Sequence, residues 1–416
     1  MKIGYACLTL GVFNTNFRTC TLKTATPEHL LTLIKHNLDT LDRVIDYNIN
    51  MGITHFRISS DMIPFGSSPV NTLSWDEIFK EEFHLIAEKL KATNTRVSMH
   101  PGQYTVLNSP NEDVVKRAVE DLAYHARFLT ALETEKSSKI ILHIGGVYGD
   151  KEAAIVRFEK NYHLLSQAIK NRLVIENDDK SYHIGDVLAI GLRNHIPVVY
   201  DNLHNKVLPF DNSKDDHYFI TLANKTWTTE DGTQKIHYSQ GAKLKRAGSH
   251  SKTIDLEVLD AFINSIPDVD IMLEVKDKNL SAVKAANLMT PNKKISNLEK
   301  EWARYKYNIL EHDPELYKEI RILLKDKESY PIIRFYFLID QALLVEPNEG
   351  TRINAASHVW GYFKESATEK ERKQYASYIE SFKKGTYSIN AVKGLLLKLA
   401  VKYKNDYLLS SYYFYF

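Results

Sequence analysis

Lys139-Ile-Ile-Leu-His-Ile144, Leu173-Val-Ile-Glu-Asn177 and Pro197-Val-Val-Tyr-Asp-Asn202 are short runs of branched apolar residues, each with a side chain able to bind a cation next to its end. They are too continuously apolar for strands with one wet face and suit a parallel sheet covered on both faces. Five more runs read as strands, 2–8 (KIGYACL), 55–60 (HFRISS), 96–100 (RVSMH), 235–239 (KIHYS) and 271–276 (IMLEVK), and the last three also carry such a side chain, His100, His237 and Glu274. Amphipathic stretches lie between them, among them 28–50, 76–93, 113–133, 152–170 and 254–266. In 28–50, Leu30, Leu31, Ile34, Leu38, Leu41, Val44 and Ile45 recur at helical spacing, and Thr26-Pro27 supplies a cap and first turn. Eight strands with interposed helices predict an α/β fold of the TIM type, a (βα)8 barrel. A doubly wound open sheet is the competitor, but it binds ligand at one switch point. Here ligand-type residues close strands three through eight, around a ring, which favours the barrel.

After about residue 290 the strands stop. Segments 299–311, 314–325, 331–345, 351–364, 368–385 and 389–405 read as helices punctuated by Pro314, Pro331, Pro347 and Gly385. The expected organisation is a barrel over 1–290 and an all-helical extension over 298–416, with the aromatic end Tyr412-Tyr-Phe-Tyr-Phe416 packing on the body. Residues 291–416 carry 21 Lys+Arg against 16 Asp+Glu, leaving 33 against 36 of the chain's 54 and 52 for the first part. The acidic excess suits a metal-holding part and the basic one a part near polyanions. Cys7 and Cys20 cannot build a disulfide framework. The N-terminal segment reads as a strand and not as a secretory signal, and no run has membrane-spanning length. A cytoplasmic, monomeric protein without membrane contact is expected.

The ligand candidates are His100, His143, Glu176, Asp201, His204, His237, His250 and Glu274. Imidazole with carboxylate suits Zn, Mn or Fe, and the lack of thiolates argues against a purely structural zinc. Eight groups exceed the needs of one ion and imply two or three, the arrangement that clamps attacking and leaving oxygens in phosphoryl transfer. Taken singly, each is a hydrogen-bonded core residue, or for Asp201 and His204 a helix cap; repetition at six strand ends favours ligands. His55, His125, His163 and His183 read as ordinary helix or surface histidines, Asp178 and Asp179 as cap groups, and Asp277 as facing away.

Three further features adjoin the strand ends. Pro101-Gly-Gln-Tyr104 follows His100, and its Gly lets the chain turn so that Gln103 and Tyr104 stand at the top of the barrel or pack in the turn. The loop 243–250 brings Lys243, Lys245 and Arg246 beside His250, as a phosphate contact or as solvated surface. Lys235 shares a strand face with His237, and a lumenal lysine is costly unless paired or modified.

Together these residues resemble the UV damage endonuclease family. The blocks are Gly4-Tyr-Ala-Cys7, Arg57-Ile-Ser-Ser60 with Ile63-Pro-Phe65, His100-Pro-Gly-Gln-Tyr104, His143-Ile-Gly-Gly146, Glu176-Asn-Asp178, Tyr200-Asp-Asn-Leu-His204, Lys235-Ile-His-Tyr-Ser239 and Leu273-Glu-Val-Lys-Asp277. The resemblance implies a barrel with a trinuclear metal cluster, commonly manganese, with Zn, Mg or Co as alternatives. It implies nicking of damaged double-stranded DNA on the 5′ side of the lesion, leaving a 3′-hydroxyl and a 5′-phosphate. All eight ligand candidates carry over. Glu176, His237, Glu274 and Lys235 are the expected catalytic groups, Lys235 matching a lysine that can be carboxylated. Gln103 and Tyr104 match residues that probe the lesion, and Tyr5 matches a further residue of that region. The first βα loop is shorter than in the family and lacks an Asn-bearing insertion near Cys7. Asn354-Ala-Ala-Ser-His-Val-Trp-Gly-Tyr-Phe363 looks like part of an accessory domain. The alternative readings are an apurinic-site endonuclease, a metal-dependent sugar isomerase or epimerase on the same barrel, and a non-catalytic lesion sensor.

Overall fold

The computed structural model describes residues 1–242 and 245–416. Eight parallel strands close into a barrel in chain order: β1 (Ile3–Ala6), β2 (His55–Ile58), β3 (Arg96–Met99), β4 (Ile140–His143), β5 (Leu173–Glu176), β6 (Val198–Asp201), β7 (Lys235–Tyr238) and β8 (Asp270–Leu273), with β8 pairing back onto β1. Each lies inside a run expected from the sequence, except that β8 begins one residue earlier. Each is shorter because the final residues of most runs leave the ladder. His100 and Glu274 follow the last residues of β3 and β8 directly.

Alternation along each strand sorts side chains between the lumen and the helical layer. On β7 the Lys235 and His237 side chains face inward, whereas Tyr238 turns outward to lie 4.3 Å from the Phe262 ring in the helix Leu256–Ser265. Two residues below His143, Glu176 and Asp201 lie Ile141, Val174 and Val199, which pack together with Trp227 as an apolar floor. The predicted helix 28–50 forms as Pro27–Asn50, capped by Thr26 Oγ1 accepting from the His29 amide. The stretch 76–93 splits at Phe79 and 152–170 splits after His163, so each supplies two helices.

The strands begin in a second charged layer. Arg96 meets Asp270 Oδ2 through Nη1 at 3.0 Å and donates from Nη1, Nε and Nη2 to the Thr233, Ser137 and Asp231 carbonyls in turn. Lys139 Nζ pairs with Asp231 Oδ1 at 2.5 Å, and Arg172 donates to the Thr134, Glu135 and Ser138 carbonyls. Every one of these cations has its acceptors within the protein, which is how a buried charge is tolerated.

The described residues divide into two compact units, Met1–Thr9 with Thr15–Ala286, and Leu10–Asn14 with Asn287–Phe416. The second unit contains the helices Ile295–His312, Pro314–Leu323, Ile332–Ala342, Glu349–Trp360, Glu369–Lys383 and Ile389–Lys402. Ala355, Ala356, Val359, Leu396, Ala400 and Leu408 are in its core, and Lys393 Nζ reaches Glu311 Oε2 at 2.6 Å within it. The aromatic end packs in this unit, with Tyr412 and Tyr413 fully buried and Tyr412 4.6 Å from the Tyr305 ring. No helix among the described residues is long and apolar enough to cross a membrane.

Candidate metal centre

Strand register assembles the site. His143 on β4 pairs with Glu176 on β5, and Asp201 on β6 with His237 on β7. Two groups of ligand atoms are close enough to share an ion, His100 with His143 and Glu176, and Glu176 with Asp201 and His237. Glu176 belongs to both. Its Oε2 lies 3.2 Å from His100 Nε2 and 3.7 Å from His143 Nε2, while its Oε1 accepts from His237 Nδ1 at 2.8 Å and lies 3.8 Å from His204 Nδ1. Glu274 Oε1 is 3.3 Å from His237 Nδ1 and pairs with the Arg57 guanidinium. His204 also sits 3.9 Å from Asp201 Oδ1, whereas His250 is in neither close group and bridges to Gly241 through its backbone.

Burial opposes ionisation of Glu176, yet His237, His143 and His100 hold its carboxyl well below the usual range. Desolvation pushes His143 and His237 down, so they tend to be neutral. Even uncharged, His237 can donate from Nδ1 to Glu176 and keep a lone pair on Nε2. Burial is also the first cause raising Asp201 to about 6, with Glu176 and Glu274 adding to it. It works against charge on His204, but Asp201 and Glu176 outweigh it and raise that imidazole to about 9.

The donor set fits cations. His143 Nδ1, His237 Nε2 and Asp201 Oδ2 are buried without a hydrogen-bond partner, a state that costs about 1–3 kcal/mol per group unless something else satisfies it. Two ligand rings are also oriented from behind. The Nδ1 of His204 donates to the Asn177 carbonyl at 2.8 Å and that of His100 to the Pro101 carbonyl at 3.0 Å, leaving each Nε2 for the lumen. Buried Lys235 donates to Ser98 Oγ at 2.7 Å, and desolvation, reinforced by Arg96 and Arg57, drives its amine well below its ordinary pKa.

These distances and the barrel closure now bear on kinship. The UV-endonuclease UvdE family profile matches residues 1–306. The chain belongs to the UvdE family. It is 42% identical over 350 residues to a UV DNA damage endonuclease of Clostridium perfringens, spanning 83% of this chain and 84% of that protein. It is 34% identical over 300 residues to a UV-damage endonuclease of Schizosaccharomyces pombe, spanning 67% of this chain and 49% of that one. The crystal structure of SacUVDE superposes with a TM-score of 0.65 at 36% identity, covering 70% of this chain and 98% of SacUVDE. Residues 306–416 match a second family, described as a protein of unknown function (DUF1722).

Several residues sit elsewhere than the sequence reading placed them. Tyr5 is fully buried, its ring 5.0 Å from Phe56 and its hydroxyl donating to Asn48 Oδ1 at 2.8 Å, so it faces the helical layer and presents no surface to DNA. Its strand parity, which the sequence leaves open, decides this. Gln103 and Tyr104 are exposed, Tyr104 at 83%. Lys245 and Arg246 are exposed too, and Lys243 lies outside the described residues. His55 and His125, read as ordinary helix or surface residues, are wholly buried, and both ring nitrogens of His55 lack partners. His183 caps the helix Ile184–Asn194, and Asp178 gathers the Lys180, Ser181 and Tyr182 amides within its loop. Arg57 went unassigned although it pairs with Glu274; its place two residues after buried His55 on one strand face was the available signal.

Proposed function

We infer that this UvdE-family chain is a DNA repair endonuclease that cuts the phosphodiester backbone 5′ to UV photoproducts and related lesions. The observation that supports this most directly is the convergence of imidazoles and carboxylates on Glu176, at the strand ends of a barrel 42% identical to a UV DNA damage endonuclease. Bound cations in such a site acidify a coordinated water and stabilise the leaving oxygen of an in-line displacement. We propose three ions, manganese foremost, held by His100, His143, Glu176, Asp201, His204, His237, His250 and Glu274.

The protein's own contribution is orientation. Glu176 offers one oxygen to each ligand group, the His204 and His100 rings are held by backbone carbonyls, and Arg57 steadies Glu274. The apolar floor of Ile141, Val174 and Val199 keeps the site in low dielectric, which strengthens every charge interaction above it. Burial favours the neutral amine of Lys235, the form that would react with carbon dioxide to give a carbamate ligand. The exposure of Gln103 and Tyr104 suits them to probe a distorted duplex whose nucleotides are drawn from the stack, and that of Lys245 and Arg246 suits them to meet phosphates. A sugar isomerase needs an enclosed aromatic pocket, whereas Tyr104 is 83% exposed. The barrel of residues 1–290 carries the chemistry, the helical part 298–416 is accessory, and the protein works as a cytoplasmic monomer.

The deciding experiment combines two measurements on one preparation. Nicking of UV-irradiated but not untreated supercoiled plasmid in manganese, with about three ions per chain by elemental analysis, is the expected result. Binding without nicking would turn the reading to a lesion sensor.

A further inference from the structure

Tyr104 is the most exposed large apolar side chain among the described residues, yet both ends of the turn that carries it are tied down. The turn closes with the Thr105 amide donating to the Gly102 carbonyl at 2.9 Å. Thr105 itself is buried, and its hydroxyl donates to Asp121 Oδ2 at 2.7 Å. At the other end, the Ser60 hydroxyl lies 2.8 Å from the His100 carbonyl oxygen and 2.9 Å from His125 Nε2, with one proton to share between them. His125 joins the two ends. Its Nδ1–H donates to the Asp121 carbonyl at 2.7 Å and lies 3.8 Å from the Asp121 carboxylate that holds Thr105.

Asp121 and His125 are one helical turn apart on Glu112–Ala131, so one rigid helix face presents both anchors. Tyr124, the neighbour of His125, donates from its hydroxyl to the Ser60 carbonyl at 2.9 Å and fixes that loop as well. Ser60 touches the ligand residue His100 at its backbone carbonyl and not at its ring. A buried histidine bridging two loops, with an acidic partner and two hydroxyls, is costly polar machinery to place under a surface turn when apolar residues could fill the same volume. Its product is a turn already in one conformation before any partner arrives.

We propose that Ser60, His125, Asp121 and Thr105 form a brace, centred on buried His125 and Thr105, that pre-sets the 101–104 turn, making them positioning residues for recognition of damaged DNA by Gln103 and Tyr104. The proposal rests on the endonuclease reading above. A loop ordered in advance loses less freedom on binding, so the brace acts on affinity for the damaged duplex and on discrimination, not on the hydrolytic step.

The test uses the full-length, metal-loaded protein and a duplex carrying one UV photoproduct. Thr105→Val keeps the shape and removes the hydroxyl. It should raise KM about five- to tenfold with kcat within about twofold, and Thr105→Ser should restore KM. In a Tyr104→Ala background Thr105→Val should add nothing, because its effect passes through the ring. His125→Gln is the second probe, with the same expected pattern. An unchanged KM, a loss confined to kcat, or a loss that multiplies with that of Tyr104→Ala overturns the brace while leaving the endonuclease reading intact. Amide hydrogen exchange over residues 102–106 judges the brace independently of activity. Faster exchange there in Thr105→Val than in the parent supports it, and equal exchange overturns it even if the parent never nicks DNA.

Discussion

The two ends of the barrel are both charged and both buried, but they are built on opposite principles. Where the strands begin, Arg96, Lys139 and Arg172 meet Asp270, Asp231 and a set of backbone carbonyls, and each cation is satisfied. Where they end, His143, His237 and Asp201 keep buried atoms with no partner, and Glu176 is surrounded by four imidazoles. A closed network serves stability; an open one waits for cations. Partnerless atoms gathered around one carboxylate, more than charge itself, therefore locate the chemistry; the two bare ring nitrogens of His55 at the start of β2 belong to no such group.

Substitution at the open end should have the largest effect. Glu176→Gln removes the carboxylate common to both ligand groups, and nicking should fall on the order of a thousandfold or more at saturating manganese with circular dichroism unchanged. Glu274→Gln should behave likewise, and near-normal activity in either variant would sink the cluster. At the closed end the effect should be on folding instead. Asp270→Asn leaves Arg96 buried and short of its anion, which should cost about 3 kcal/mol and lower Tm by roughly 5–10 °C. Metal content per folded chain should be unchanged; a lost metal would show that the two ends are not independent.

The protonation of the open end sharpens the contrast. In the metal-free protein His204 titrates at about 9, so it carries a proton near neutrality, and ions binding there must displace it. Titration calorimetry at about pH 7.5 in buffers of different ionisation enthalpy should show about one proton released per chain. The release should shrink as pH passes 9 and grow below 6, where Asp201 is protonated as well. The same raised pKa means that the His204 contribution to metal-free stability is full below pH 6.5 and lost as pH rises through about 9. Buffer-independent heats would contradict this arrangement. The smallest effect belongs to the exposed loop, where replacing Lys245 and Arg246 with Ala should weaken DNA binding about two- to fourfold and flatten its salt dependence.

Eight strands, their order and the helices of the second unit were legible because each is written locally. Buried parallel strands are continuous apolar runs, and helices repeat every three to four residues. The ligand types were legible for the same reason, since they close those runs at residues such as His143 and Glu176. Closure of the ring decided the rest. Periodicity shows which residues share a face but not which face looks inward, so Tyr5 turned to the helical layer and Arg57 to Glu274. His125 resembles any helical histidine in sequence, and only the packing of its helix beneath two loops from different strands brings it to Ser60. Sequence determined the elements and their chemistry, and tertiary structure decided which groups meet, because contacts between distant residues depend on barrel register and strand parity, which no local pattern encodes.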